Sequence, residues 1–458
     1  MKKVLLVVLI TALLLALFAT PVLAQGDGEA KTPDSIATDL DTVWVLLAAA
    51  LVFFMQAGFF FLEGGLTRAK NVANAMLKGV MDFCLGAIIF WMVGFGLMFG
   101  LSRGGFVGSS GFFSNLASAD WNGLPLYVFL LFQIAFAGAA ATILAGGVAE
   151  RFKFSAYCIA TVVITGFIYP VAGHWIWAQG GWLNRLGMLD FAGSTVVHTV
   201  GGVCAFVGAW MVGARVGKYN PDRSANAIPG HNIPMAALGT FILWLGWYGF
   251  NPGSLLKASP AIATIAMTTT LSAAAGATMA MLITWGRYGK PDVSMSLNGA
   301  LAGLVAVTAG CAYVSPVSAL IIGIVAGILV VFSVEFIDHK VRVDDPVGAV
   351  SVHMVNGIWG TIAVGLFAQA SFGQANGVAA VDGLFFGGGL AQLGKQLLGS
   401  ASVVAWVAVT AGLMFFILKK TIGIRVDEEG QRVGLDLHEH DIEAYPDFQP
   451  AISEKGVS

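Results

Sequence analysis

Eleven apolar stretches separated by short polar segments dominate this chain of 458 residues. Each stretch is long enough to cross a bilayer, because about 20 helical residues span the hydrocarbon core. We predict them at 43–66, 79–100, 125–148, 154–177, 194–213, 233–251, 259–285, 293–314, 316–337, 347–368 and 401–418. The pattern predicts an all-α integral membrane protein with eleven transmembrane helices.

The two ends of the chain differ from this membrane domain, 43–418. Residues 1–24 begin with two lysines, continue as an apolar run and end in small residues, which is typical of a secretory signal peptide. An uncleaved anchor helix is the alternative. We expect 25–42 to be an extracytoplasmic segment and 419–458, rich in Asp, Glu and His, to be a cytoplasmic regulatory tail.

The distribution of charge predicts how the protein is oriented in the membrane, and the composition argues against a soluble domain or a nucleic-acid-binding protein. Alternate loops carry fifteen lysines and arginines on one side and five on the other, which predicts a mature N-terminus outside the cell membrane and a cytoplasmic C-terminus. Only 11% of residues are charged and 57% are apolar, unlike a soluble domain. A net charge of -2 and the lack of a basic patch give no indication of nucleic-acid binding. The four cysteines fall in apolar segments and are expected to be buried thiols.

One motif occurs twice. Residues 190–202 and 345–357 both read Asp-x-x-Gly-x-x-x-Val-His-x-Val-x-Gly at the start of a predicted span, with His198 and His353 at the same offset. Five crossings invert the chain, so helices 1–5 and 6–10 are predicted to form an inverted repeat. The two histidines can meet only if both helices begin below the membrane surface, with irregular backbone at Gly193 and Gly348.

A histidine inside a membrane indicates a transport path. His198 and His353 are expected to be neutral, because an unpaired charge is expensive in the bilayer. A hydrogen-bonded imidazole pair can relay a proton; the alternative is that each ring only bonds across a helix contact. No HExxH motif or further ligand set accompanies the pair, so we predict no metal site and no cofactor. No nucleophile and base can be assembled either, so we predict no enzyme.

The aspartates of the repeated motif have two interpretations. Asp190 and Asp345 are either cation ligands or caps of the helices that follow them. Capping is the preferred interpretation for Asp345, whereas Asp190 is assigned to support the loop that forms an outer binding site, without contact to the substrate.

Aromatic residues continue the predicted path. Phe132 and Phe136 lie one helical turn apart, Phe250 and Ser254 end helix 6, and Trp177 ends helix 4 on the same side. A Trp face with a hydroxyl suits a small cation, and a pair of rings beneath it would block a hydrated ion. Each ring also fits the ordinary interpretation of core or interfacial residue.

Several ordered motifs resemble those of the ammonium transporter (Amt/Mep/Rh) family along nearly the whole mature chain. They are Met55-Gln-Ala-Gly58 through Glu63 to Asn71, Phe132-Gln133-x-x-Phe136 with Glu150 and Arg151, Asp190 to His198, Gly246-Trp247 through Ser254, and Asp345 to Gly360. The tail segment from Gly434 to Tyr445 resembles the family's regulatory C-terminus. Where relatives often have HGExAY, this chain has His440-Asp-Ile-Glu-Ala-Tyr445.

The resemblance implies a homotrimer in membrane lipid with a path through each subunit. It implies ammonium recruitment by Trp177, Ser254 and Phe136, and a gate of Phe136 and Phe250. It further implies a twin-histidine centre of His198 and His353, a pore-lining Thr308 lower down, and a structural Asp190. A PII-type protein is the candidate regulatory partner at the cytoplasmic face, and methylammonium is the substrate analogue.

We therefore expect a transporter that deprotonates NH4+ and conducts NH3 into the cytoplasm. The proton either follows along the imidazole pair, which makes uptake electrogenic, or returns outside. The alternative function is an ammonium sensor that hardly conducts.

Overall fold

The computed structural model describes residues 32–446 apart from 116–119, 122 and 223. The predicted signal peptide, 1–24, and the end of the tail lie outside the described residues. The chain divides into two compact units, Met1–Asp39 and Leu40–Ser458. In the first unit, Thr32 caps the start of a helix, because its hydroxyl accepts a hydrogen bond from the Ser35 N–H at 3.2 Å.

The described residues are mostly helical. The α-helices are α1 (Pro33–Leu66), α2 (Val72–Ile89), α3 (Phe95–Phe99), α4 (Leu126–Val148), α5 (Phe154–Val163), α6 (Tyr169–Trp177), α7 (Trp182–Leu186), α8 (Val200–Val212), α9 (Ile233–Phe250), α10 (Ala261–Tyr288), α11 (Val293–Thr308), α12 (Pro316–Phe336), α13 (Asn356–Phe367), α14 (Ala370–Ala375), α15 (Leu390–Thr421), α16 (Glu428–Val433) and α17 (Leu435–His440). Single π-helical turns occur at Phe90–Gly94, Ile164–Ile168, Ser194–Thr199, Ile337–Val341 and Val350–Val355. Two short antiparallel ribbons pair β1 (Ser102–Arg103) with β2 (Val107–Gly108) and β3 (Asp120–Trp121) with β4 (Leu124–Pro125).

Ten helical runs in the described part of the chain are long and apolar enough to cross a membrane. They are Pro33–Leu66, Ala69–Phe99, Leu126–Val148, Phe154–Leu186, Ser194–Val212, Ile233–Leu255, Ala261–Tyr288, Pro316–Val341, Val350–Phe367 and Leu390–Thr421. The predicted eighth span corresponds to α11, an apolar helix of 16 residues. The all-α membrane fold is confirmed, and the exact count of eleven stays a prediction.

The helices that contain the first and last predicted spans are longer than those spans. The first helix begins at Pro33, before the predicted start at 43, and the last covers Leu390–Thr421, beyond the predicted 401–418. Polar residues at the start of both helices lowered the hydropathy there. Gln396 in α15 is fully buried, and its amide bonds the Leu189 backbone, a partner that a sequence window cannot see.

Small residues let three helices approach closely. A Cβ added at Gly303 of α11 would lie 2.2 Å from the Ser272 carbonyl oxygen of α10, and one at Gly323 of α12 would lie 2.1 Å from the same atom. A side chain would therefore separate the backbones. Such contacts are typical of helices that pack within a membrane.

The described part of the tail contains the two short helices α16 and α17 and docks on the bundle. The Asp436 carboxylate accepts hydrogen bonds from the backbone N–H groups of Ala73 and Asn74, at 3.0 and 2.8 Å. Lys70 donates to the Gln431 carbonyl oxygen at 2.8 Å. The tail thus caps the start of α2, and we call this end of the bundle the tail side.

Candidate functional site

Asp190 shapes the backbone in front of His198. One carboxylate oxygen accepts a hydrogen bond from the Gly193 N–H at 2.9 Å, and the other accepts from Thr195 and Val196 at 2.9 Å each. Gly193 has a φ of 118°, a conformation that favours glycine. The aspartate therefore holds a left-handed turn followed by the π-helical turn Ser194–Thr199, which carries the histidine.

Asp345 repeats this arrangement in front of His353. Its oxygens accept hydrogen bonds from the N–H groups of Ala349, at 3.1 Å, and Val350, at 2.7 Å. Gly348 has a φ of 82°, and the π-helical turn Val350–Val355 follows. The predicted irregular backbone at both glycines is present. Both carboxylates bond backbone N–H groups, the geometry of a cap.

The two histidines meet. Their Nδ1 atoms are 3.1 Å apart, and the rings stack at a centroid distance of 5.2 Å and an angle of 21°. A hydrogen bond between these nitrogens needs one of them to donate and the other to accept. The pair can therefore hold one shared proton, while both Nε2 atoms point away from it.

Aromatic rings cover His198. Trp247 stacks on it at a centroid distance of 5.1 Å, and Phe250 does so at 5.4 Å. His198 is fully buried, and its Nε2 has no hydrogen-bond partner among the described residues. A buried nitrogen without a partner is expensive in an apolar environment. This atom is free to bond a small polar molecule.

A cavity of ≈ 160 Å³ opens above the histidines, on the side away from the tail. Phe136 and Phe250 stack at its base with centroids 4.0 Å apart at 25°, so the rings separate the cavity from the histidine pair. We call it the aromatic cavity; it is lined by Phe99, Phe129, Phe132, Gln133, Phe136, Trp177, Phe191, Ser254 and Leu256. All three predicted recruitment residues line this cavity.

A second, much smaller cavity of ≈ 10 Å³ touches His353 on the tail side. Its polar side chains are Glu63, Asn298 and His353. The others are apolar: Phe59, Leu62, Ile143, Leu301, Val347, Ala349 and Val352. We call it the carboxyl cavity.

Hydrogen bonds from two indoles hold the site together. Trp177 Nε1 donates to the Asp190 carbonyl oxygen at 2.7 Å, so the loop that carries Asp190 also orients a wall of the aromatic cavity. Trp247 Nε1 donates to the Thr308 hydroxyl at 2.9 Å. Thr308 therefore positions the ring over His198, and it lines neither the aromatic nor the carboxyl cavity.

An ion-pair network anchors the backbone just before Asp345. Arg215 bonds both carboxylate oxygens of Asp344 at 2.9 Å and also contacts Glu150 at 3.2 Å. Burial alone would raise the pKa of Asp344, but the Arg151 and Arg215 guanidiniums hold it well below its usual range. The network links the ends of α4 and α8 to this loop.

Three contributors to the site were not assigned a role from sequence. Trp247 stacks on His198, and Glu63 and Asn298 line the carboxyl cavity. Glu63 and Trp247 belong to motifs that the sequence displays. Asn298 carries the same signal as the histidines, a polar side chain inside an apolar helix. For metals, the described residues contain no group of three His, Cys, Asp or Glu side chains that could hold an ion.

The helices and the histidine pair between two cavities define a multi-pass membrane protein with polar groups lined up inside the bundle. Comparison with known proteins gives the particular family. The model of the Ammonium Transporter Family matches residues 43–445. The chain belongs to this family, which is a family of transporters.

Relatives cover almost the whole chain. It is 45% identical to the ammonium transporter Amt2 of Archaeoglobus fulgidus over 96% of this chain and 95% of that protein. Among solved structures, a sensor Amt protein is similar with a TM-score of 0.84 and 41% identity, covering 89% of this chain and 100% of that one. Mep2 of Candida albicans is similar with a TM-score of 0.81 and 29% identity, over 93% and 95%.

Proposed function

We propose that this protein is an ammonium transporter that recruits NH4+ in the aromatic cavity, removes a proton from it and conducts NH3 past the histidine pair into the cytoplasm. Trp177, Ser254 and Phe136 form the recruitment site. Phe136 and Phe250 are the gate, and His198 and His353 are the conducting centre. The observation that carries the proposal is the Nδ1–Nδ1 contact of 3.1 Å, directly beneath the stacked rings.

The recruitment step uses the chemistry of the cavity walls. Phe136 and Trp177 both line the aromatic cavity, and their rings meet edge to face at a centroid distance of 6.0 Å. The π-face of an aromatic ring attracts a small cation. The Ser254 hydroxyl donates to the Phe250 carbonyl at 2.7 Å, which leaves its oxygen lone pairs to accept a hydrogen bond from NH4+.

Deprotonation explains how the gate can discriminate between cations. A hydrated ion does not fit between rings whose centroids are 4.0 Å apart, and an intact ion stripped of water costs several kcal/mol in an apolar constriction. Ammonium can avoid this cost by leaving its proton behind, whereas potassium cannot. Ammonia then finds an acceptor in the unpartnered Nε2 of His198.

We infer further that the proton follows along the imidazole pair, so that uptake is electrogenic. Each ring accepts a proton on one nitrogen and releases one from the other, and the shared Nδ1–Nδ1 bond passes it between the rings. Purified protein on a solid-supported membrane tests this. An ammonium jump should produce a current and an equal potassium jump should not; ammonia flux without charge movement would overturn the electrogenic version.

Phe250→Ala tests the gate. The change removes one ring of the stack and should admit larger or hydrated solutes, so leakage of potassium should become measurable. Phe241→Ala is the matched control, because Phe241 lies on the same helix and is 66% exposed. Equal potassium exclusion by both variants would contradict the gate.

Orientation and assembly belong to the same proposal. We propose that residues 1–24 are cleaved, that the mature N-terminus is outside the cell membrane, and that the domain of 43–418 assembles as a homotrimer. The tail of 419–458 then faces the cytoplasm, where a PII-type protein is the candidate partner. Mass measurement of the intact complex and N-terminal sequencing test the assembly and the cleavage.

A second candidate function is ammonium sensing with little conduction. It is favoured by the similarity to a solved sensor Amt protein and by the tail docked on α2. Methylammonium uptake by liposomes separates the two candidates. A protein that binds methylammonium but does not accumulate it above empty liposomes would be a sensor.

A further inference from the structure

Glu63 is an ionisable residue inside the bundle that the transport route described above does not use. It lies in α1, four residues after Phe59, so the two side chains share one helix face. The Phe59 ring lies 6.1 Å from the His353 ring, centroid to centroid. This face of α1 therefore leads from the histidine pair toward Glu63, on the tail side.

Glu63 and His353 meet in the carboxyl cavity. Glu63 is 5% exposed and His353 is 4% exposed, so both are nearly enclosed by protein. The cavity of ≈ 10 Å³ is about the size that one water molecule requires. A buried water also needs two to four polar partners, and Glu63, Asn298 and His353 provide three.

A hydrogen bond orients Asn298. Its Nδ2 donates to the Val347 carbonyl oxygen at 3.1 Å, which fixes the orientation of the amide. The amide oxygen keeps its capacity to accept a hydrogen bond, and Asn298 lines the cavity. The remaining walls are apolar, so a water here has a defined position between the carboxyl and the imidazole.

Other charged groups near Glu63 are engaged elsewhere. Its electrostatic neighbours are Asp82, Lys78 and Asp345. Asp82 accepts from the Tyr157 hydroxyl at 2.7 Å, Lys78 donates to the Phe152 carbonyl at 2.9 Å, and Asp345 caps its own helix. Neither Asp82 nor Asp345 lines the cavity that touches His353, whereas the Glu63 carboxyl does.

We propose that Glu63 is the group that exchanges protons between the histidine pair and the tail-side solvent. This role rests on the proposed electrogenic function. A protonated His353 gives its proton to the cavity water, and the water gives one of its own to the Glu63 carboxylate. The imidazole becomes neutral, the carboxyl becomes protonated, and the water is regenerated. Release of the proton from Glu63 to the solvent resets the pair.

Glu63→Gln tests the proposal in liposomes and on a solid-supported membrane. The amide keeps the size of the side chain but cannot take the proton. We expect the ammonium-induced current to fall at least about ten-fold, its dependence on tail-side pH to flatten, and the flux of neutral ammonia to stay within about three-fold of the original protein. Glu63→Asp keeps an ionisable group and should restore the pH dependence.

Asp82→Asn is the matched control. It also removes a fully buried carboxyl near Glu63, and its amide oxygen can still accept the Tyr157 hydrogen bond. It should leave the current within about two-fold, since it does not line the cavity. Asn298→Leu, which removes one partner of the water, should lower the current without flattening the pH profile.

The outcomes separate this proposal from the function on which it rests. If the original protein produces no current after an ammonium jump, electrogenic transport is overturned, and the role of Glu63 is overturned with it. A normal current in the unaltered protein and an unchanged current and pH profile in Glu63→Gln would overturn only the role of Glu63. Loss of both current and ammonia flux in a folded Glu63→Gln protein would assign it a structural role. If that variant does not fold, an unchanged current in Asn298→Leu overturns the water relay.

Discussion

The two histidine segments have the same local structure and different neighbours. Both begin with an aspartate cap, a left-handed glycine and a π-helical turn. His198 lies under stacked aromatic rings and has an unpartnered Nε2, whereas His353 touches a cavity with a carboxyl and an amide. The motif thus supplies two equivalent rings, and the surrounding helices place one of them beneath a stack of aromatic rings and the other beside a polar cavity.

The largest expected effect comes from replacing the histidines by aspartate. A carboxylate at the fully buried position of His198 costs several kcal/mol unless a cation neutralises it, so His198→Asp should lower the preference for ammonium over potassium by about 100-fold. His353→Asp should have a smaller effect, about ten-fold, because the carboxyl cavity has room for one water to solvate the charge. Currents with each cation measure this; equal effects of the two changes would contradict the comparison.

The second-largest expected effect is on stability, where the interactions that anchor the two histidine segments should differ. Arg215→Met removes the guanidinium that bonds both oxygens of the buried Asp344 carboxylate and leaves the charge of Arg151 nearby, so the loss should approach the about 3–5 kcal/mol of a broken buried ion pair. Gln396→Leu removes neutral hydrogen bonds to Leu189 on the other side and should cost about 1–3 kcal/mol. Thermal unfolding in detergent measures both. A larger loss for Gln396→Leu would show that the tail-side ion pairs do not dominate.

The same anchor predicts a pH dependence. Although burial alone would raise the pKa of Asp344, the two arginines hold it below its usual range. The folded-state pKa is depressed, so the stabilisation is fully present above the ordinary value of about 4 and is lost as the pH falls through the folded-state pKa. Arg215→Met moves the folded-state pKa of Asp344 back toward its unfolded value, so the variant should lose less stability than the original protein as the pH falls below about 4. An identical pH profile would contradict this assignment.

Replacing the two aspartate caps should give a smaller difference in the free energy of unfolding. Asp190 accepts three backbone hydrogen bonds and Asp345 accepts two. Hydrogen bonds to a charged group contribute about 1.5–3 kcal/mol each, and asparagine keeps a single accepting oxygen. We expect Asp190→Asn to lower the free energy of unfolding by about 3 kcal/mol and Asp345→Asn by about 2 kcal/mol. The reverse order would show that the number of backbone hydrogen bonds does not determine the contribution of each cap.

The smallest expected effect concerns the two glycines. Alanine at either position costs about 1–2 kcal/mol for the left-handed conformation. A Cβ at Gly348 would lie 2.7 Å from Asn298 Nδ2, and one at Gly193 would lie 2.8 Å from Val197 Cγ2 and 3.3 Å from the Trp177 ring. Gly348→Ala should therefore alter the current, and Gly193→Ala should alter the methylammonium concentration for half-maximal uptake, each by about two- to five-fold. If both variants changed the current and the half-maximal concentration equally, the separate roles of the two cavities would be contradicted.

Much of this site could be predicted because its local chemistry is written in a repeated motif. The placement of His198 and His353 and the irregular backbone at Gly193 and Gly348 followed from residue types and spacing. The pairing of Phe136 with Phe250 followed from the resemblance to the family's motifs. The start of α15 could not be predicted, because its polar Gln392 and Gln396 find partners only in the folded bundle. Gln396 has a polar side chain, yet it is fully buried against Leu189.

Hydropathy and motif spacing are local properties, so the membrane class, the repeat and the pair of imidazoles could be predicted from the sequence. The neighbours of each histidine are a property of the folded bundle: His353 shares a cavity with Glu63 and Asn298, whereas His198 packs against Trp247 and Phe250. These neighbours come from helices far apart in the chain. Their contacts depend on how the helices cross and pack, which no single segment specifies.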